Sequence, residues 1–141
     1  MTLSLSETLA DEVRREGALA YPAECCGVLA GRAGEVKEVV HLVPMANRRT
    51  DDPHRYLITP DDVRRVTAEV RASGLEVLGY YHSHPDHPAA PSAFDTEHAW
   101  PWYSYVIVSV QQGRAAQLSS WLLEDDRSAM RRESLEVFTE V

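Results

Sequence analysis

The sequence predicts an α/β fold, and three observations carry that expectation. The chain has 141 residues, 44% of them apolar and 26% charged, an ordinary globular balance and enough length for one domain around one hydrophobic core. Two stretches, near residues 6–20 and 60–72, place apolar side chains at helical spacing. Between and after them lie short apolar runs closed by Gly, Pro or polar turns, which read as strands.

Taken in order, the first helix is expected from about Ser6 to Ala20. Ser4 and Glu7 have capping-box spacing, Leu5, Leu9 and Val13 recur every four residues, and Tyr21-Pro22 ends the element. CCGVLAG (25–31) reads as a short buried strand. After Gly34, VKEVVHLVPM (36–45) reads as its hairpin partner. The polar run 47–54 is a loop, and RYLI (55–58) is expected as a short strand. Thr59-Pro60-Asp61-Asp62 combines an N-cap, a proline in the first turn and an acid at the third position, a strong helix start. Val63, Val66 and Val70 give this second helix one apolar face, and Ser73-Gly74 stops it. LEVLGYYH (75–82), SYVIVSV (104–110) and RAAQLSSWLLE (114–124) read as strands, the second nearly all apolar and therefore central. In the tail, Met130, Ser134, Val137 and Phe138 fit helical spacing. The alternation of Leu135, Val137, Thr139 and Val141 favours a strand. No repeat or linker interrupts the chain, so one domain over residues 1–141 is expected.

Composition excludes several classes. A formal charge of −8 argues against a nucleic-acid surface, which needs clustered Lys and Arg. No run approaches the roughly 18 apolar residues of a membrane span. The N-terminal MTLSLSETLADEVRRE lacks a basic region followed by an apolar run, so a cytoplasmic location without a secretory signal is expected. Cys25 and Cys26 are adjacent, which gives neither a disulfide framework nor C-x-x-C spacing. They are expected to be reduced, with one packed inside.

The chemistry concentrates in GYYHSHPDHPAAPSAFD (79–95), which holds His82, His84, His87, Asp86 and Asp95. His82 and His84 stand two apart at a strand end, so both imidazoles leave the same face. The prolines at 85, 88 and 91 keep the following loop extended and carry the chain to Asp95. Two His, one Asp and an open fourth position make a catalytic zinc set, in which the metal lowers the pKa of water to about 7 and polarises a carbonyl. A reading without metal also exists, because Ser92-x-x-Asp95 has the spacing of a helix capping box.

Read only to His87, His82-x-His84-x-Asp86-His87 resembles the dinuclear zinc motif of the metallo-β-lactamase fold. That chemistry needs several later ligands, and His98 is the one histidine beyond residue 87. A cupin would want a glutamate where Pro88 or Ala89 stands. Read to Asp95, His82-Ser-His84-Pro…Ser92-x-x-Asp95 resembles the signature of the JAMM (MPN+) metallopeptidases. Pro22-Ala-Glu24-Cys-Cys-Gly27 is similar to that family's glutamate segment, and residues 99–110 to the stretch that follows its motif.

The resemblance covers roughly residues 5–124 and implies a JAB/MPN-like domain, a central curved mixed β-sheet flanked by helices. It implies one Zn2+ held by His82, His84 and Asp95, with Glu24 as general base and Ser92 as hydroxyl donor to the oxyanion. Spacing alone leaves Glu24 a solvated carboxylate at a strand start. The implied activity is cleavage of the amide bond after the C-terminal Gly-Gly tail of a ubiquitin-like (β-grasp, sulfur-carrier) protein, with release of cysteine or of a C-terminal extension as one form of it. The alternative is a non-catalytic MPN module that binds partners, although such modules usually lack the metal ligands present here. Asp86 and His87 fall outside the ligand set and either tune it from behind the ligands or line its entrance, and His41, His54 and His98 read as surface or packing histidines. Trp100-Pro101-Trp102-Tyr103 reads as packing or as an apolar wall beside the cleft.

Overall fold

A computed structural model describes residues 1–47 and 58–140. Its strands are β1 (Thr2–Ser6), β2 (Cys26–Arg32), β3 (Val36–Met45), β4 (Glu76–Pro85), β5 (Ser104–Gln111), β6 (Arg114–Leu123) and β7 (Met130–Phe138). Its helices are α1 (Glu7–Ala20), α2 (Pro60–Ala72) and α3 (Ala93–His98). The strands run in the order β1-β3-β2-β4-β5-β6-β7. The sheet is mixed: β1 lies parallel to both β3 and β7, β4 lies parallel to β5, and the other neighbours are antiparallel. Pairing of β1 with β7 carries the curvature of the expected mixed sheet to closure as a barrel.

β1 is absent from the sequence reading. Its Leu3 and Leu5 are fully buried on one face, with strand parity, yet Leu5 also fits the helical series that follows. The helix N-cap is Ser6, whose Oγ accepts from Leu9 N at 3.2 Å, so the expected Ser4 box does not form. α2 starts as expected, with Thr59 accepting from Asp62 N and Pro60 in the first turn. The expected strand over 55–58 lies outside the described residues except for Ile58, which belongs to no strand. The tail forms a strand over Met130–Phe138.

Two apolar layers hold β4 in place. On one side, α1 contributes Ala10 and Val13 to a core with Leu3, Leu29, Leu78, Tyr81 and Val108. Gly17 lets α1 approach β4 and β5 closely, since a Cβ there would lie 3.0 Å from Val110 and 3.2 Å from Ser83. On the other side, Val66 and Val70 of α2 pack on Val28 and Ala30, with Val77 and Tyr80 alongside. The register of β4 against β2 slips by one residue near Leu78. That bulge puts Val77 and Tyr80 on one face and Leu78 and Tyr81 on the other. His82 and His84 continue the Tyr80 face, whereas Ser83 points toward α1. Among the described residues, no helix is long and apolar enough to cross a membrane.

Candidate metal centre

β4 delivers both histidines at its end, where His82 and His84 are buried. Their rings tilt against each other, with centroids 4.9 Å apart. Ser83, between them, fixes the neighbouring strand: its Oγ accepts from Cys25 N at 2.8 Å, and its own N donates to Cys25 O at 3.2 Å. These bonds seat the start of β2 beside β4 and bring buried Glu24 into the group. One ligand atom from each of Glu24, His82 and His84 lies within 4.8 Å of the others, an arrangement able to hold a metal ion.

Asp95 also converges on the histidines. His82 Nε2 and His84 Nε2 are 3.1 Å apart, and Asp95 Oδ2 stands 3.3 Å from the first and 3.0 Å from the second. The capping box also exists: Asp95 Oδ2 accepts from Ser92 N at 2.9 Å, and Ser92 Oγ accepts from Asp95 N at 3.1 Å. Cap and convergence are one feature, because the box aims the Asp95 carboxylate at the imidazoles.

Donor chemistry tests whether a cation fits this triangle. His84 Nδ1 lies 3.0 Å from Pro88 O; a carbonyl only accepts, so Nδ1 carries the hydrogen and a neutral His84 turns the lone pair of Nε2 inward. That lone pair then faces the Asp95 carboxylate, acceptor against acceptor. A hydrogen on His82 Nε2 could bridge only one of the two remaining edges. A shared cation satisfies all three at once. In a tetrahedral zinc site with bonds near 2.0–2.1 Å, ligand atoms stand about 3.3 Å apart, close to the three separations here.

The site's charge state suits such a cation. Burial lowers the His82 pKa, outweighing the opposing pull of Asp95, and so favours the neutral ring that can act as a ligand. Burial alone would raise the Asp95 pKa, but hydrogen bonding and charge attraction from His82, together with the Ser92 amide, hold it well below the usual carboxylate range. The adjacent thiols are not activated: burial pushes Cys25 up to about 11 and Cys26 up to about 12, and both are free.

Two cavities flank the centre. A cleft of about 520 Å3 is lined by Glu24, His84, His87, Pro88, Ser92 and Phe94. A second cavity, of about 240 Å3, is lined by Val63, Tyr80, Phe94, Asp95, Trp100 and Tyr105. Trp100 therefore stands beside the site, as the apolar-wall reading expects. Trp102 instead lies against Lys37 and Tyr103. His41 is exposed, His98 stacks on Phe94 at 4.0 Å, and His54 lies outside the described residues. Asp86 turns its carboxylate toward Tyr21 and the amide of Gln112. The positioning roles of Ser83 and the Pro88 carbonyl have no signal in residue spacing.

Residues 6–124 match the family described as prokaryotic homologs of the JAB domain. A desampylase of Haloferax volcanii is 37% identical over 112 residues, 76% of this chain and 80% of the relative. A CysO-cysteine peptidase of Mycobacterium tuberculosis is 32% identical over 106 residues, 74% of this chain and 71% of the relative. Among solved structures, a protein of Desulfitobacterium hafniense superposes with a TM-score of 0.84 at 29% identity, covering 99% of this chain and 94% of that one. A JAB1/MPN domain protein of Archaeoglobus fulgidus superposes with a TM-score of 0.61 at 19% identity, covering 98% and 99%, and speaks for the fold alone. With the matched segment running from the cap of α1 through the histidine pair to the end of β6, this chain belongs to the prokaryotic JAB-domain (JAMM-type) metallopeptidase family.

Proposed function

We propose that this protein is a zinc peptidase that cleaves the amide bond following the C-terminal Gly-Gly tail of a ubiquitin-like, sulfur-carrier type β-grasp protein. The observation that carries the reading is the triangle of His82 Nε2, His84 Nε2 and Asp95 Oδ2, with sides of 3.0–3.3 Å. In this reading those three residues hold the metal, and Glu24 stays unligated as the general base. Glu24 is buried within 4.8 Å of a ligand atom on each histidine, near enough to exchange a proton with a water held at the same centre. The names of the desampylase and the CysO-cysteine peptidase support the substrate class.

Zinc bound there would supply Lewis acidity, making water a competent nucleophile near neutral pH and polarising the scissile carbonyl. Glu24 takes the proton released as water attacks the carbonyl carbon, then gives it to the departing amine, so the proton count closes over one turnover. Ser92 Oγ uses a lone pair to accept from Asp95 N, which leaves its hydrogen free to donate to the oxygen that gains negative charge. Burial of Glu24 and the histidines lowers the local dielectric, where such interactions count for more than in water. The product released is cysteine or a C-terminal extension of the carrier.

The test is a β-grasp carrier ending in Gly-Gly followed by a short extension, incubated with the enzyme and read by intact mass. Cleavage directly after Gly-Gly, lost with a zinc chelator and restored by zinc, is the expected result. Cleavage elsewhere, or a rate indifferent to chelation, refutes the proposal.

A further inference from the structure

The turn after the histidine pair is held by a set of bonds that the proposed chemistry does not use. Asp86 sits in the left-handed region, with φ 57°, a conformation that Asp tolerates better than most residues. Both carboxylate oxygens are engaged: Oδ1 accepts from Gln112 N at 2.7 Å and Oδ2 from the Tyr21 hydroxyl at 2.6 Å. Asp86 N donates to Val110 O at 2.6 Å. The three bonds join the turn to the end of β5, to the β5–β6 connection and to the C-cap residue of α1.

The carbonyls that follow are sorted by direction. His87 O accepts from Ser109 Oγ at 2.6 Å and from Gln111 Nε2 at 3.3 Å. Ala89 O accepts from Ser119 Oγ and from Trp121 Nε1, the latter at 3.2 Å. Both therefore face β5 and β6. Pro88 O, between them, takes the opposite direction and meets His84 Nδ1 at 3.0 Å.

We infer that Asp86 is a positioning residue of this site: its carboxylate clamps the 86–89 turn to Tyr21 and Gln112, and the clamped turn holds Pro88 O on His84 Nδ1. His84 then keeps its hydrogen on Nδ1 and its lone pair on Nε2, aimed at His82 and Asp95. The inference rests on the reading of His84 as a zinc ligand. Outer partners that orient a ligating histidine typically change metal affinity by 10–100-fold. Asp86 acts one step further out, so the lower end of that range applies.

Asp86→Ala, Asp86→Asn and Tyr21→Phe are compared with wild type by two readouts. One is zinc affinity from chelator competition; the other is the His84 tautomer in the metal-free protein, from long-range 1H–15N spectra of 15N-histidine protein. Asn tolerates the same backbone conformation, accepts from Gln112 N and donates to Tyr21 Oη, so it rebuilds the clamp without the charge. Asp86→Ala is expected to weaken zinc binding about tenfold and to mix the two His84 tautomers. Tyr21→Phe should weaken it about threefold, as loss of one hydrogen bond, and Asp86→Asn should stay close to wild type. Wild-type affinity and an unchanged tautomer in Asp86→Ala overturn the inference. So does a loss in Asp86→Asn as large as in Asp86→Ala, which would mean that the charge acts and not the clamp. Should Asp86→Ala not fold, Tyr21→Phe decides by the same two readouts. If wild type binds no zinc, the metal reading fails, and the tautomer still judges the clamp separately.

Discussion

Asp95→Asn separates the capping role of Asp95 from the ligand role proposed for it. Asp95 accepts the Ser92 amide at 2.9 Å to cap α3, and the same Oδ2 stands 3.0–3.3 Å from both imidazoles. An asparagine oxygen can still accept from Ser92 N, so the cap survives; the anionic ligand does not. Removing a ligand costs more than disturbing its support, so zinc affinity should fall by more than about 100-fold, or more than about 2.7 kcal/mol at 1.36 kcal/mol per decade. Wild type with zinc at a hundred times its dissociation constant gains about 2.7 kcal/mol. For a chain of this size that equals a rise in Tm of about 5–10 °C. Asp95→Asn should show almost none of this rise; its Tm under chelator also falls at pH 7, because the ionised carboxylate held by His82 stabilises the metal-free fold. Asp95→Ala should lose the zinc-dependent rise and, in addition, about 1 kcal/mol from the cap. Differential scanning calorimetry with and without zinc, backed by chelator competition, reads all three proteins. A wild-type zinc shift in Asp95→Asn would refute the assignment of Asp95 as a ligand.

Other consequences follow from the same geometry. Ser92→Ala should keep zinc binding within about tenfold, yet reduce kcat by about 100-fold, the scale of one lost oxyanion donor; unchanged kcat with bound zinc would remove Ser92 from the mechanism. Lys37 is fully buried, donating to Trp102 O and, at 3.1 Å, to Ser104 Oγ, which itself donates to buried Glu133 at 2.6 Å. Lys37→Ala strips that network of its cation and should destabilise the fold by about 3–5 kcal/mol in urea unfolding, whereas a change under 1 kcal/mol would contradict the account. Burial raises the Glu16 pKa against the lowering effect of the Tyr81 hydroxyl, 2.8 Å away. A carboxyl with a raised folded-state pKa favours folding below its unfolded pKa and loses that contribution as pH rises through the folded one. Glu16→Gln should therefore gain Tm relative to wild type at pH 7 and not at pH 4; an equal difference at both would argue against the buried charge.

Local rules made most of the fold legible. Thr59-Pro60-Asp61-Asp62 is a helix start on its own evidence, and the turn at Gly113 separates β5 from β6 as read. β1 escaped because Leu5 serves a strand before Ser6 and also fits a helical period with Leu9 and Val13. Barrel closure escaped because it depends on parallel pairing of β1 with β7, from opposite ends of the chain. α3 is six residues long, too short for periodicity to speak, and only its cap left a trace. That trace presented cap and metal as competing readings; in space a single oxygen caps α3 and faces both imidazoles. The histidine pair was legible because strand parity alone puts two imidazoles on one face. Asp86 was not, because its partners are Tyr21 and Gln112, 65 and 26 residues away.

The central claim is that Glu24 moves the proton for a metal held by other residues. The direct measurement is zinc content together with single-turnover cleavage of a Gly-Gly-extended β-grasp carrier, by wild type and by Glu24→Gln. The account predicts about one zinc per chain in both proteins and a cleavage rate at least about 100-fold lower in the variant. Loss of zinc in Glu24→Gln would make Glu24 a ligand, and zinc-loaded variant cleaving at the wild-type rate would contradict the mechanism outright.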